Sequence, residues 1–475
     1  ELSRILDADT DNQESIVENS LKGIEGEEDS LFTDQKGSFL FEKFVVYYSV
    51  DQLNELMRSV GQKLFLIMKD SSASHVFETI YHRYEQLLPS LGVKEQKVAI
   101  QTMTDQYVQS LNEDTNTVKD LSSDSKSAHV IGTLIDVLRP YIATSDLEGF
   151  INKLSSVVLE EGKREIDVDS IPIIVALMKT DCSPIRRQLM PVIADKVPAT
   201  DESWSILIEA AIPLMDPITL KLFEDNHITK ETVTDPIGNH VVQRFLETTE
   251  DPKKCIQLCM EEMDTIVKNR YYQLIASILK AFDNIDRDMQ ESCLTRIIGS
   301  LCGRGNIFVE GRKTWMKKYK GFIDMGYSVV LQSLLHVKSK QCKHLQELLL
   351  EQKPADLLEY VDNPKGSRVI EEFISVASDI NITRLVEKLR GHYDSIASNR
   401  FGSHVIEKLF DKAAIKQKDT IAEELVECYA SLEKQFFARK ALEHLKIVEF
   451  KENKGKWHST LQKKEKLMKE IGRAH

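Results

Sequence analysis

Five short segments of the chain share one pattern of polar residues. In each, a small polar residue and a glutamate or glutamine stand four positions apart and flank an apolar pair. A helix turns about 100° per residue, so Ser403, His404 and Glu407 share one helical face, and the apolar pair Val405 and Ile406 lies on the other. The five segments are Ser38-FLF-Glu42, Ser74-HVF-Glu78, Asn239-HVV-Gln243, Ser367-RVI-Glu371 and Ser403-HVI-Glu407.

We call each such segment a row and number its residues from one to five. The first and fifth residues are one helical turn apart, about 6 Å, so together they can span the edge of one nucleobase. The second residue is often planar and able to stack on a base. Such residues are Phe39, His75, His129, His240, Arg368 and His404, while Lys43, Arg244 and Lys408 follow a fifth position and border the same face, where they can meet phosphates.

Helix capping is an alternative interpretation of the rows. A serine at a helix start can be an N-cap and a following glutamate can complete a capping box, but that box spaces its two members by three residues. The rows space them by four. Recurrence of the pattern in a periodic helical chain favours ligand contact over capping.

Five weaker copies extend the series. Ser328 and Gln332 keep polar ends, whereas Ile171 and Val175 cannot hydrogen-bond a base edge. Rows near the end of the chain are about 36 residues apart, a spacing typical of helical solenoids. The weaker copies are Ala128-HVI-Gly132, Ile171-PII-Val175, Tyr272-QLI-Ala276, Ser328-VVL-Gln332 and Arg439-KAL-Glu443.

Longer steps between rows predict insertions at residues 90–120, 180–230 and 295–320. The third contains a glycine-rich basic stretch, residues 303–316, which we interpret as a solvated connector, with a phosphate-contacting loop as the alternative. Between rows, apolar residues recur at steps of three and four, and this predicts further helices at 50–61, 345–351, 382–390 and 421–432. Turn residues such as Gly37 and Asn363 precede several rows and are expected to end one helix before the next.

The pattern as a whole predicts an all-α solenoid of about ten or eleven repeats. We expect four segments: an acidic lead-in at residues 1–30, an N-terminal arm of repeats at 31–235, a C-terminal arm at 236–450, and a basic helical tail at 451–475. A length of 475 residues without a composition break suits a solenoid, because each repeat packs only on its neighbours.

Composition narrows the class of protein. The seven cysteines are scattered without a C-x-x-C pair, which indicates a reduced compartment, and we expect Cys255 and Cys259 to pack in the core without binding metal. The longest apolar run, residues 171–178, is too short to span a membrane. No catalytic or nucleotide-binding motif is present, so neither enzymatic activity nor a cofactor is expected.

The net charge of −13 opposes a simple nucleic-acid interpretation. Its distribution is uneven, since residues 1–30 hold ten acids and two bases, whereas residues 391–475 hold 17 bases and 13 acids. The acidity therefore belongs largely to the first segment.

The rows resemble those of the Pumilio (PUF) repeat family, most specifically at residues 239–246, 367–373 and 403–409. The resemblance implies three-helix repeats stacked into a curved, C- or U-shaped solenoid whose second helices line the concave face. It implies that the first and fifth residues bond a base edge while the second stacks between bases. By the same resemblance Asn239 with Gln243 prefers uracil, and the two serine–glutamate rows at Ser367 and Ser403 prefer guanine.

Irregular spacing, histidine at the second position and the final segment Phe436-FARKALEHLKIVEF are more similar to a nucleolar branch of that family. This similarity implies a monomeric RNA-binding protein of the nucleolus that acts on precursor ribosomal RNA in small-subunit biogenesis, together with pre-ribosomal particle proteins. The expected RNA-binding residues are Ser38, Phe39, Glu42, Ser74, His75, Glu78, His129, Asn239, His240, Gln243, Arg244, Ser328, Gln332, Ser367, Arg368, Glu371, Ser403, His404, Glu407, Lys408 and Arg439.

Two alternatives stay open at this point. A Pumilio-like protein can bind nucleic acid without reading its sequence or can regulate messenger RNA instead. A HEAT- or armadillo-like scaffold for proteins is the other possibility, and it predicts an acidic row surface without bordering lysine or arginine.

Overall fold

The computed structural model describes residues 13–144, 147–159, 166–180, 183–303, 305–310, 318–319, 322–323 and 326–471. These residues are mostly helical, and the chain divides into two compact units. The first unit holds residues 1–228 and 235–241, and the second holds residues 229–234 and 242–475.

In the first unit, short helices alternate between those that carry rows and those that support them. The row helices pack side by side in chain order, from Gln35–Val45 through Ser71–Leu87, Ser125–Leu138 and Ile171–Lys179 to Glu202–Ala211. The other α-helices are Gln13–Ile24, Glu28–Thr33, Val50–Val60, Leu64–Ile67, Val93–Glu113, Thr115–Ser122, Leu147–Leu159, Ser183–Lys196 and Pro217–His227, and the 3₁₀ turns are Gly61–Lys63, Leu88–Ser90, Arg139–Thr144, Val168–Ser170 and Ile212–Leu214.

In the second unit the repeat is more regular. Row helices Tyr272–Lys280, Gly326–His336, Gly366–Val376, Gly402–Lys412 and Phe436–His444 pack in succession. Two supporting helices usually follow each of them. The remaining helices are Lys230–Thr234, Lys253–Glu261, Met263–Asn269, Arg287–Cys302, Lys340–Leu350, Pro354–Val361, Asp379–Leu389, Tyr393–Ser398, Ile415–Glu427, Tyr429–Leu432, Ile447–Glu452 and Lys454–Ile471, with the 3₁₀ turn Ala281–Asn284 and a two-residue antiparallel pair of strands, Lys318–Tyr319 with Phe322–Ile323.

The helix Gly238–Thr248 carries the row of Asn239 and begins in one unit and ends in the other.

The predicted all-α solenoid is confirmed, and the helices expected at 50–61 and 382–390 appear as Val50–Val60 and Asp379–Leu389. The core is built as the periodicity requires, because the third and fourth row residues, such as Val369, Ile370, Val405 and Ile406, are fully buried.

The insertion predicted at residues 180–230 is wrong for the part that holds the helix Glu202–Ala211. That stretch forms three helices, and the middle one, Glu202–Ala211, packs on Ile171–Lys179 as another row helix. The stretch at 90–120 folds largely into the helix Val93–Glu113. Half of the basic stretch at 303–316, namely residues 304 and 311–316, lies outside the described residues.

Most of the described cysteines are buried in the core. The thiols of Cys255, Cys259, Cys293 and Cys342 are buried, and Cys182 lies outside the described residues. Burial raises the pKa of the Cys293 thiol to about 11. A thiol that stays protonated at neutral pH is a poor nucleophile and a poor metal ligand.

Glycines at the start of row helices permit close contact with the preceding helix. A Cβ atom added to Gly402 would lie 2.5 Å from the Ile396 carbonyl oxygen, and one added to Gly366 would lie 2.4 Å from that of Tyr360. Neither glycine has a positive φ. The sequence pattern assigns such glycines to turns that end a helix, whereas each is the first residue of a helix, and close approach is the reason for it.

We predict that Gly402→Ala lowers the free energy of unfolding by about 1–3 kcal/mol, because the added methyl group overlaps backbone atoms that cannot move independently. Gly299→Ala is the matched control, since an added Cβ there meets nothing within 4 Å. Gly299 lies in the last turn of the helix Arg287–Cys302, where alanine should stabilise the protein by up to about 0.5–1 kcal/mol. Urea denaturation of the two variants would contradict this explanation if their midpoints shifted equally.

Candidate nucleic-acid interface

An aspartate or asparagine side chain begins most row helices. Asn399 Oδ1 accepts hydrogen bonds from the backbone N–H groups of Phe401 and Gly402, at 2.7 and 3.0 Å. The Asn399 carbonyl then accepts from the Ser403 N–H at 2.9 Å. In other row helices the residue four positions ahead of the row is again the cap: Asp34, Asp70, Asp124, Asp201, Asp235 and Asn363.

The first residue of each of these capped rows therefore lies one turn after the capping residue and is not the cap itself. Most of these residues are almost fully buried: Ser403 is 4% exposed and Asn239 is 3% exposed. The Ser403 hydroxyl donates to the Arg400 carbonyl at 3.1 Å, and the Asn239 amide nitrogen donates to the carbonyls of Asp235 and Pro236. With the hydroxyl hydrogen used internally, the serine oxygen can offer a ligand only its remaining acceptor capacity.

The second residue of most rows projects into solvent. The Phe39 side chain is 58% exposed, and those of His75, His404 and Arg368 are 70%, 65% and 64% exposed. His129 and His240 are exposed as well. The planar groups that the sequence pattern assigns to stacking are thus accessible.

The fifth residue lies on the same helical face as the second, is less exposed, and in three rows its carboxylate lies close to the side chain of the second residue. Arg368 Nη1 is 3.2 Å from Glu371 Oε2, and His404 Nδ1 is 3.9 Å from Glu407 Oε2. His75 and Glu78 repeat this arrangement at 3.5 Å in the first unit. Glu42 is half-buried, and Gln243 is 9% exposed. Each such pair places a planar donor next to a carboxylate acceptor, close enough together for both to contact a single base.

Three successive rows of the second unit come together around continuous grooves. Six of the expected residues from these helices line one groove: Ser328, Gln332, Ser367, Arg368, Glu371 and His404. The adjoining groove is lined by Arg368, Glu371, His404, Glu407, Lys408, Asp411 and His444. The centre of this surface was predicted from the sequence, but its edge residues Asp411 and His444 were not. The His444 Nε2 atom lies within hydrogen-bonding distance of Asp411 Oδ2, at 3.0 Å, and joins neighbouring row helices.

One further row is absent from the sequence prediction. Ser205-ILI-Glu209 has the same spacing, the same buried serine and the same hydroxyl bond, here from Ser205 Oγ to the Glu202 carbonyl at 2.9 Å. Its second residue, Ile206, is 56% exposed but cannot stack as an imidazole does. The cap Asp201, four residues ahead, is the signal that would have revealed it.

Other rows depart from the pattern as their sequences indicate. Gly132 has no side chain at the fifth position, and a Cβ there would lie 3.0 Å from the Pro172 carbonyl oxygen. Gln332 folds back and donates to the Ser328 carbonyl at 3.1 Å. Arg439 is exposed at a first position, where most rows bury a small side chain.

Lysine and arginine side chains lie beside the rows at the positions predicted from the sequence. Lys43 Nζ lies 4.3 Å from the centroid of the Phe39 ring, and Arg244 forms an ion pair with Glu247 at 3.3 Å. Lys408 lines the groove of the second unit. A protein-binding scaffold predicts an acidic row surface without basic neighbours. These rows have basic neighbours and therefore do not fit that prediction.

The described residues contain neither a helix long and apolar enough to cross a membrane nor a cluster of three or more histidine, cysteine or acidic side chains arranged to bind a metal ion.

The fold and the rows define an all-α repeat protein of Pumilio type. The model of the NOP9-like PUF repeat domain matches residues 26–156 and 199–440, so the chain belongs to that family. The family expected from the sequence is confirmed.

Curated relatives agree with this family. The chain is 24% identical to Pumilio homolog 23 of Arabidopsis thaliana over 57% of its length and 39% of the relative's. It is 21% identical to the human nucleolar protein 9 over 54% of its length and 46% of the relative's. The chain spans less than half the length of these two relatives, and the name of the second agrees with the nucleolar location expected from the sequence.

Solved structures share the fold. The chain matches the APUM23-GGAGUUGACGG structure with a TM-score of 0.70 at 19% identity, over 96% of this chain and 97% of that one. A second structure, APUM23-GGAUUUGACGG, matches with a TM-score of 0.72 at 19% identity, over 97% of each chain.

We predict that Asn399→Ala lowers the free energy of unfolding by about 1 kcal/mol, because two backbone N–H groups lose their acceptor. Asn399→Asp keeps the acceptor and should retain stability. Gln435→Ala, ahead of the helix Phe436–His444, is a control because the Gln435 side chain makes no capping bond. Equal decreases in the free energy of unfolding for Asn399→Ala and Gln435→Ala, measured by urea denaturation, would show that the asparagine cap does not stabilise the helix.

Proposed function

We propose that the chain binds single-stranded RNA along its rows and acts on precursor ribosomal RNA during small-subunit biogenesis, without catalysis and as a monomer among pre-ribosomal particle proteins. The supporting observation is the groove of the second unit, where exposed second residues and half-buried fifth residues of successive rows lie side by side. The family and the oligonucleotides named with the APUM23 structures support the same class of ligand.

The fifth residue supplies base preference by its hydrogen-bonding type. An ionised glutamate only accepts hydrogen bonds, and a guanine Watson–Crick edge offers it two donors, N1–H and the N2 amino group. A glutamine offers both a donor and an acceptor, which suits the mixed edge of uracil. Rows with Glu371 and Glu407 thus favour guanine, and the row with Gln243 favours uracil.

The charge of the groove permits a polyanion despite the net charge of −13. Glu371 and Glu407 each have a cationic or protonatable neighbour at the second position, and Lys408 adds a further positive charge. Arginine and histidine beside the carboxylate reduce its repulsion of phosphates while leaving its oxygens able to accept from a base.

Three later rows of the first unit, those at Ala128, Ile171 and Ser205, contribute less base discrimination. Val175 and Gly132 provide no hydrogen bond at the fifth position, and Ile206 replaces a planar second residue. Contacts there depend on the shape and backbone of the RNA, which suits a ligand that mixes single strands with structure.

We predict that the double variant Glu371→Gln with Glu407→Gln weakens binding of the RNA UUUUGGUUUU by at least about thirtyfold, since each of the two lost base-specific pairs costs about 1–3 kcal/mol. Binding of an oligouridine of the same length, which has no guanine, should stay the same or strengthen. Fluorescence polarisation measures both, and Glu351→Gln, an exposed carboxylate outside the row helices, serves as control. Unchanged affinity for UUUUGGUUUU in the double variant would rule out base reading at these two rows.

Crosslinking the protein to RNA in cells and sequencing the bound fragments tests the biological target. Precursor ribosomal RNA should dominate, and the fragments should contain unpaired guanine-rich segments. Recovery of mature messenger-RNA ends instead would contradict the ribosomal role without contradicting the RNA-binding surface.

A further inference from the structure

The last row helix carries an exposed aromatic and cationic edge that the rows themselves do not account for. Its first residue, Phe436, is 55% exposed, and the Lys440 ammonium lies 4.6 Å from the centroid of the Phe436 ring. Phe437 meets the Phe436 ring edge-on, with centroids 5.3 Å apart. The sequence from Lys434 to Lys440 has three cations and no acid.

This edge lies on the ligand side of the helix. Lys440 is the second residue of its row, and Phe436 precedes it by four positions, so the two share one helical face. Phe436 therefore continues the stacking face by one turn toward the helix start.

The neighbouring repeat has a similar edge. Phe401 precedes His404 by three positions and lines the groove with Arg368 and His404. The Arg400 guanidinium lies 5.8 Å from the centroid of the Phe401 ring. The helices Gly402–Lys412 and Phe436–His444 pack directly on each other, and Phe401 and Phe436 each lie at the start of their own helix. The groove of the second unit reaches the helix Phe436–His444 at His444.

We propose that Phe436, Lys440 and Arg439 form a separate site for one unpaired nucleotide, beside the path of bases along the rows. This inference rests on the proposed function, because it needs RNA in the adjacent groove. The Phe436 ring stacks on the base, and Lys440 moves from the ring to the phosphate. Such a move is favourable because an exposed cation–π contact is weaker than a stacked base.

The site accepts any base. Stacking uses the face that all four bases share. In a row the edge-reading fifth residue comes three positions after the stacking residue, and three positions after Phe436 comes Arg439, which is neither a carboxylate nor an amide. The ligand is therefore a nucleotide that flanks the bases read by the rows at Ser367 and Ser403.

Truncated RNAs test this site directly. Fluorescein-labelled UUUUGGUUUU is compared with GGUUUU and UUUUGG, each titrated against the full chain and its Phe436→Ala variant. We expect Phe436→Ala to weaken UUUUGGUUUU binding by about tenfold, the effect of one stacked base. The loss should disappear with the one truncated RNA that lacks the flanking nucleotide. Ile380→Ala is the matched control, because Ile380 is 74% exposed but lies outside the row helices.

Lys440→Gln provides an independent readout that does not depend on the aromatic ring. If Lys440 binds a phosphate, the slope of log affinity against log salt concentration for UUUUGGUUUU should decrease in magnitude by about 0.7. An unchanged slope would remove the phosphate contact from the proposal.

The remaining outcomes separate this site from the proposed function. Unchanged binding in Phe436→Ala, with weakened binding in the Glu371 and Glu407 double variant, overturns the edge site alone. An equal loss on all three RNAs also overturns it, since Phe436 would then act through the guanine rows. If none of these variants alters RNA binding, both the edge site and the proposed function are wrong.

Discussion

The row surface depends on how each row helix begins. An aspartate or asparagine side chain holds the first N–H groups, as Asn399 does, and this sets the rotation of the helix about its axis. Once the rotation is set, Ser403 turns inward and His404 turns outward. The glycine between cap and serine lets the helix touch its predecessor, as at Gly402. Cap, close contact and buried serine together determine where the exposed side chains point.

This arrangement gives the serines and glutamates different parts in the surface. Ser367 and Ser403 contribute mainly to the packing of the helix start, because their hydroxyls are bonded within it. The second and fifth residues carry most of the chemistry available to a ligand. Pairing Arg368 with Glu371 also holds both side chains in place before any ligand arrives, which lowers the entropy lost on binding.

Helical periodicity was sufficient to predict the repeat architecture and the members of the best rows. The burial of Val405 and Ile406 follows directly from their spacing, and so does the exposure of His404. Periodicity does not report depth, however, so the near-complete burial of Ser403 and Asn239 was not foreseen. That depth comes from the capping bond and the neighbouring helix, which are contacts between residues in different turns.

The row at Ser205 escaped prediction for a related reason. The five clear rows have planar second residues, and four of them follow a glycine directly, whereas this row has Ile206 and no such glycine. Its helix is instead identified by Asp201, whose carboxylate caps it. A cap at a constant distance from the buried serine is the more general signal, since it does not depend on what the row binds.

The helices that carry Gly132 and Pro172 lie in close contact. Neither of these two neighbouring row helices provides a polar residue at the fifth position of its row. If the chain reads RNA as proposed, an alignment of bound RNAs shows conserved columns opposite rows such as those of Ser367 and Ser403, and unconserved columns opposite these two. Targets then differ at the unconserved positions without loss of affinity, so many related sequences are bound almost equally well.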